Sequence, residues 1–342
     1  MNDILLGLSG GVDSAAAAAL LKEQGFSVNA CFLILTDDSI KEEENARSLA
    51  EHLGIRLITA DFRDRFRENV SGYFIREYLS GRTPNPCVRC NPTTKIQSLL
   101  DTADKYGIEK IATGHYAVTE HSEKYGGTVL KASPSKKDQS YFLSALSPAQ
   151  IGRTVFPLGL FSTKEEVREY AEKLSLPNAK KGDSQEICFI PDGNYQEYIC
   201  KNSSYKPVCG SFLDNDGCVI GQHSGIINYT VGQRKGLGAF GEPRYVKRIN
   251  AANNTVTLCK KDERFETEIF AGSLSFTVND PPEGRFTAGV KIRSTAKAVP
   301  AEIEYNNGRM HIIFSEKVIA PTPGQTAALY DGDTVIGSGI IE

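Results

Sequence analysis

Nothing in the 342 residues approaches an apolar run long enough to span a bilayer, and no basic segment precedes the short apolar stretch near the N-terminus. These absences argue against a transmembrane helix and a secretory leader, and predict a cytoplasmic chain with no membrane partner. Charge of one sign is not in excess either. A net charge of −3 offers no general attraction to nucleic acid, so an RNA partner would have to be held by local basic patches. The eight cysteines lack the regular spacing of a disulfide framework and read as reduced thiols or site residues. The length exceeds one ordinary core and predicts two or three domains.

What is present is concentrated first in Ile4-Leu-Leu-Gly-Leu-Ser-Gly-Gly-Val-Asp-Ser14 and the alanine-rich run after it. The unbroken apolar residues suit a strand buried on both faces of a parallel sheet. Gly10 and Gly11 mark a turn, Asp13 and Ser14 fall where an N-cap belongs, and Ala15 to Gln24 predict a helix that stops at Gly25. At such a junction the free amides and dipole of the helix converge with turn amides, which favours a bound anion, usually a phosphate. No Gly-Lys-Ser/Thr follows the glycines, which argues against a Walker loop and simple γ-phosphate transfer. Ser9-Gly-Gly-Val-Asp-Ser14 resembles instead the pyrophosphate loop of the N-type ATP pyrophosphatases. That resemblance implies cleavage of ATP between its α and β phosphates, with AMP left on a substrate oxygen. It also implies that Asp13 helps hold Mg2+.

Further along, Val28–Leu35 and Arg56–Asp61 read as strands, Lys41–Leu53 and Arg63–Ser80 as helices. After a loop over Gly81–Asn91, a helix is expected from about Pro92 to Tyr106, then a strand over Lys110–Thr113. This alternation predicts a doubly wound parallel sheet whose ligands gather at the carboxyl ends of its strands. His115 fits either that rim or an ordinary hydrogen-bonded structural role. Thr128–Ala132 looks like one arm of a hairpin. The segment Ser135–Leu143 suits a solvated helix start or contacts to an RNA backbone. Ser162–Leu174 reads as a helix capped by Ser162 with Glu165 completing the box, and Lys180–Ile190 as a basic loop running into a strand that carries Cys188. Beyond about Ser203 short alternating strands predominate, among them Val246–Ile249, Thr255–Cys259, Gly289–Arg293 and Met310–Phe314. They predict two small β domains divided near Ala271–Ser275, the second a small barrel or sandwich. The resulting division is 1–203, 204–272 and 273–342.

Thr83-Pro-Asn-Pro-Cys-Val-Arg-Cys-Asn91 is a proline-stiffened loop with two thiols, and a following helix would favour the thiolate of Cys90. Together with the pyrophosphate loop, Gly114-His-Tyr-Ala117, Lys137–Leu143, Ile187-Cys-Phe-Ile190 and Gly232-Gln-Arg-Lys-Gly-Leu-Gly238, it closely resembles the tRNA-specific 2-thiouridylases. The matches keep the order of that family to about Gly238 and recur weakly at Lys291-Ile-Arg293. The resemblance implies a pyrophosphatase domain, a small central β-rich domain and a C-terminal β-barrel.

The activity so implied is ATP-dependent 2-thiolation of the wobble uridine in the anticodon of tRNA. Oxide is a very poor leaving group, and adenylation replaces it with AMP. By resemblance, Gly7, Leu8, Ser9, Gly10, Gly11, Val12, Asp13, Ser14, Leu33 and Gly114 contact ATP. Cys188 accepts persulfide sulfur from a donor protein, and Cys90 helps release it by forming a disulfide with Cys188. Asn85, Pro86 and Cys87 match a base-contacting segment, and Lys137, Asp138, Gln139, Arg293 and Ser294 match tRNA contacts. Arg234 and Lys235 sit in a polar turn or add to RNA binding. One departure is Cys87, which stands where the family usually has aspartate. No acid or base role carries over to it. With Cys90 it forms Cys-x-x-Cys, so Cys87 is a bystander, a redox partner of Cys90, or with Cys188 a ligand of an iron–sulfur cluster; persulfide chemistry is favoured over the cluster. Adenylation of a small metabolite is the alternative activity.

Overall fold

The computed structural model describes residues 2–176 and 187–342. Its first elements alternate as expected: β1 (Asp3–Gly7), α1 (Val12–Glu23), β2 (Ser27–Ile34), α2 (Glu43–Leu53) and β3 (Arg56–Asp61). A helical stretch follows, made of α3 (Arg63–Phe66) and α4 (Gly72–Leu79) joined through a wide turn at Arg67–Ser71. A second one consists of α5 (Pro86–Cys90) and α6 (Ile96–Lys105) joined through another at Asn91–Lys95. Next come β4 (Lys110–Ala112), β5 (Ala117–Ser122), β6 (Gly127–Ala132), α7 (Pro148–Arg153), β7 (Thr154–Val155), α8 (Lys164–Lys173) and α9 (Tyr195–Lys201).

Strands β3-β2-β1-β4-β7 form one parallel sheet in that order. The chain order reverses between β1 and β4, and such a switch opens a crevice at the carboxyl ends of the strands. Alternate residues of β1 feed opposite faces. Ile4 and Leu6 pack with α1, α2 and α8, whereas Leu5 packs with α6 and α7. Both layers bury the sheet, which is why β1 has no polar alternation.

The central domain is a four-stranded sheet, β8 (Gly210–Leu213), β9 (Val219–His223), β10 (Tyr245–Asn250) and β11 (Thr255–Cys259), in the order β10-β11-β8-β9. Its core includes Phe74 and Tyr78 of α4 beside Phe212, Val246 and Leu258, so this domain is packed onto the first. The remaining strands are β12 (Phe265–Phe276), β13 (Arg285–Lys291), β14 (Val299–Asn306), β15 (Arg309–Ile319), β16 (Thr326–Asp331) and β17 (Thr334–Ile341). Pairing of β12 with β17 closes them into a six-stranded antiparallel barrel. The β5–β6 hairpin joins this sheet through β17. Residues 271–275, where the sequence suggested a boundary, lie inside β12.

Several local expectations shift. The second long helix starts at Pro86 rather than Pro92, because Asn85 caps it and proline at the first helical position needs no amide partner. In α8 the cap is Thr163, which accepts from the Glu166 amide at 3.2 Å, rather than Ser162. Cys188 lies in a turn closed by Ile190 N–H donating to the Ile187 carbonyl at 2.8 Å, not in a strand; Lys180–Glu186 fall outside the described residues.

Candidate active site

The loop after β1 is shaped by two glycines. Gly10 has φ +75°, and a Cβ there would meet Asn45 and Ala46 of α2 at 3.1 and 3.3 Å. Gly11 is extended and precedes α1 without a side-chain cap, so Asp13 and Ser14 lie in the first turn of the helix instead of capping it. Ser14 folds back: its Oγ donates to the Gly11 carbonyl at 2.9 Å and accepts from the Ser9 amide at 3.3 Å. From the far side of the crevice comes Gly114, where a Cβ would stand 3.0–3.1 Å from the backbone of Asp13 and Ser14. A side chain there would push the two backbones apart by a few tenths of an ångström. Gly7, Leu8 and Val12 are the buried or half-buried frame of the loop, and Ser9 is exposed. Leu33, near the carboxyl end of β2, is half-buried beside the same crevice.

Asp13 is held from two sides. Tyr116 OH donates to Oδ1 at 2.9 Å, and Lys164 Nζ donates to Oδ2 at 3.0 Å. Neither partner was singled out from sequence, since they stand far along the chain. A magnesium ion on Asp13 would share its carboxylate with an ammonium, and among the described residues no three His, Cys, Asp or Glu side chains form a group that could hold a metal. Among the described residues, then, no set of donors by itself fits a metal ion or an iron–sulfur cluster. Mg2+ ordinarily keeps phosphate and water ligands beside one or two carboxylates.

The thiols gather in a second group. Asn85 Oδ1 accepts from the amides of Cys87 and Val88 at 3.2 and 3.3 Å, which fixes the start of α5. Pro86 is buried, Cys87 exposed, and Cys90 buried against Phe66, Val70, Phe189 and Leu35, the last just past β2. Phe189 stacks edge-on against Phe66 and Phe74, placing the Cys188 turn over α3 and α4. Because α5 begins at Pro86, Cys90 lies inside the helix and not at its amino end. Burial pushes the Cys90 thiol up to about 12, opposed by the Lys95 ammonium and amide. The thiolate favoured by a following helix is thus overruled by desolvation. Cys87 and Cys188 present surface to solvent, yet the crowded surroundings of their sulfurs push both thiols up, again opposed by Lys95.

The Lys95 ammonium opposes burial at all three thiols and adds to it at His115, the neighbour of Gly114. His115 is packed against Phe156, with Nδ1 2.7 Å from Thr113 Oγ1; burial, then Lys95, drives its imidazole down to about 3. Its imidazole is therefore held neutral at physiological pH.

The expected tRNA contacts occupy varied positions. Lys137 is exposed. Asp138 turns inward, accepting from the amides of Ser133 and Ser140, and Lys291 of the barrel lies 3.7 Å away. Gln139 brackets Tyr116: its Oε1 accepts from the Tyr116 amide at 3.0 Å and its own amide donates to the Tyr116 carbonyl at 2.8 Å. Arg293 donates to the Ala320 carbonyl and Thr322 Oγ1, and Ser294 is half-buried beside it. Arg234 and Lys235 are exposed. The barrel also clasps the cysteine segment: Thr83 N–H donates to the Pro323 carbonyl at 2.8 Å, and Gln325 Nε2 donates to the Thr83 carbonyl at 2.8 Å.

Comparison with known proteins extends over the whole chain. Three family profiles match in sequence order: a "tRNA methyl transferase HUP domain" over residues 2–192, a "tRNA methyl transferase PRC-barrel domain" over 196–260 and an "Aminomethyltransferase beta-barrel domain" over 266–341. A curated relative from Acetivibrio thermocellus, named tRNA-specific 2-thiouridylase MnmA, is 42% identical over 99% of this chain and 99% of its own. Another of that name from Caldanaerobacter subterraneus subsp. tengcongensis is 43% identical over 100% and 98%. A third, from Clostridioides difficile, is 41% identical over 99% and 98%.

Proposed function

The chain belongs to the family of tRNA-specific 2-thiouridylases, and from that premise we propose that it replaces the 2-oxygen of the wobble uridine of tRNA by sulfur at the expense of ATP. The observation that carries this reading is that Cys90 packs against Leu35, just past the carboxyl end of β2, on the same rim of the sheet as the pyrophosphate loop that follows the neighbouring β1. An enzyme that only adenylates has no use for the thiols, and one that only transfers sulfur has no use for the loop.

In the proposed sequence the uridine O2 attacks the α-phosphorus of ATP, the bond from that phosphorus to the β-bridging oxygen breaks, and pyrophosphate leaves. Asn85–Cys87, Lys137–Gln139, Arg293 and Ser294 are the proposed tRNA-contacting set, and the base is extruded from the anticodon to reach the thiols. The terminal sulfur of a persulfide on Cys188, received from a donor protein, adds to C2. AMP departs with the former uridine oxygen. Cys90 then attacks the Cys188 sulfur, leaving the outer sulfur on the base and a Cys90–Cys188 disulfide, which an external thiol must reduce. Buried Cys90 stays protonated and idle until substrate changes its surroundings, which suits a group needed only at the last step.

Pyrophosphate release measured with and without tRNA tests the reading. Release that requires tRNA is expected. Release without RNA would point to a small-molecule acceptor and overturn it.

A further inference from the structure

The loop Ser9–Ser14 contains a carboxylate and no cation, an unfavourable arrangement for receiving a polyanion. The structure supplies the missing charge from 151 residues away. Lys164 is the first residue of α8, and its Nζ lies 3.0 Å from Asp13 Oδ2 with only 9% of the side chain exposed. Its position follows from packing: Val167 and Ala171 of α8 are fully buried in the cluster that contains Ala15–Ala18 and Leu21 of α1. This contact, with Thr163 capping α8, fixes the start of α8 beside the amino end of α1. That end already attracts anions through its amides and dipole.

Asp13 is the handle by which the ammonium is held. Its other oxygen is taken by Tyr116 OH, itself buried and bracketed by Gln139, so the carboxylate has little freedom to turn. The Asp13 side chain is 30% exposed, which leaves the pair open on one side. A buried ammonium needs a partner, and a carboxylate near incoming phosphates needs neutralising. One ion pair meets both needs.

We propose that Lys164 is the pyrophosphate-binding lysine of this site: held by Asp13, its ammonium is shared with the β-phosphate of bound ATP and then with departing pyrophosphate. It stays protonated throughout and offsets the charge that develops on the β-phosphate oxygen as the bond to the α-phosphorus breaks. This rests on the ATP-site reading above and assigns a contact within it.

Calorimetric titration of the full chain with ATP, inorganic pyrophosphate and AMP separates this role from a merely structural one, because AMP lacks the groups that Lys164 would contact. Lys164→Met should weaken pyrophosphate and ATP about 10- to 100-fold, the range expected for a charge-assisted hydrogen bond, and leave AMP within about twofold. Lys164→Arg should recover most of the loss. Equal weakening of AMP and pyrophosphate, or unchanged pyrophosphate affinity, would overturn the assignment. Should Lys164→Met fail to fold, the Asp13→Asn/Lys164→Met double variant, which removes both charges of the pair, is compared with Asp13→Asn, which removes only the carboxylate. Weaker pyrophosphate binding by the double variant is expected, and equal binding by the two would refute the contact. Wild type that binds neither ATP nor pyrophosphate would overturn the ATP-site reading, and this inference with it.

Discussion

The thiol of Cys90 provides a direct measure of how strongly burial governs the site. Its surroundings hold it up to about 12, from an ordinary value of 9.0. A gap of about three pH units means roughly a thousandfold less thiolate at pH 8, and only the thiolate reacts. Alkylation by iodoacetamide, read by mass spectrometry after trypsin, resolves the relevant sites because Arg89 separates Cys87 from Cys90. In the resting protein Cys90 should label about a thousandfold more slowly than the same cysteine in unfolded chain, with a rate that rises about tenfold per pH unit through pH 10. Exposed Cys87 and Cys188 should label faster. Lys95→Met removes the ammonium that opposes burial at all three, so each should label more slowly than in wild type. Labelling of resting Cys90 at the rate of a free cysteine at pH 8 would refute the argument. So would a Lys95→Met variant whose three thiols react as in wild type.

Gly114→Ala places a Cβ 3.0 Å from the Asp13 backbone, and should raise the KM for ATP at least tenfold while leaving the labelling of the three cysteines unchanged; parallel loss at both groups would show a global defect instead. His115 has a folded-state pKa depressed from 6.5 to about 3, so the stability it contributes is complete above about 6.5 and is lost as pH falls from there towards 3. Thermal melts across that range should therefore give a shallower acid limb for His115→Asn, with a difference on the order of a few kcal/mol, and an unchanged limb would exclude the buried neutral imidazole as its cause.

What the sequence determined by itself was whatever depends on residues close together in the chain. The apolar run, paired glycines and alanine-rich segment of residues 4–24 specify strand, turn and helix through local sterics and helix propensity, and their order announces an anion site. Alternation of such units was enough for a parallel sheet, because a strand–helix–strand crossover has few other ways to pack. The β-rich character of the last third was legible from its alternation. Tertiary structure decided what depends on contacts across the chain. It turned Cys90 from a thiol beside a helix start into one buried behind Phe189, and desolvation outweighs a dipole at such a position. It brought Lys164 and Tyr116 to the two oxygens of Asp13, joined the β5–β6 hairpin to the distant barrel, and fastened Thr83 to the loop around Pro323. None of these pairings leaves a periodic signal, because a hydrogen bond or ion pair between residues more than a hundred positions apart imposes no spacing on either segment.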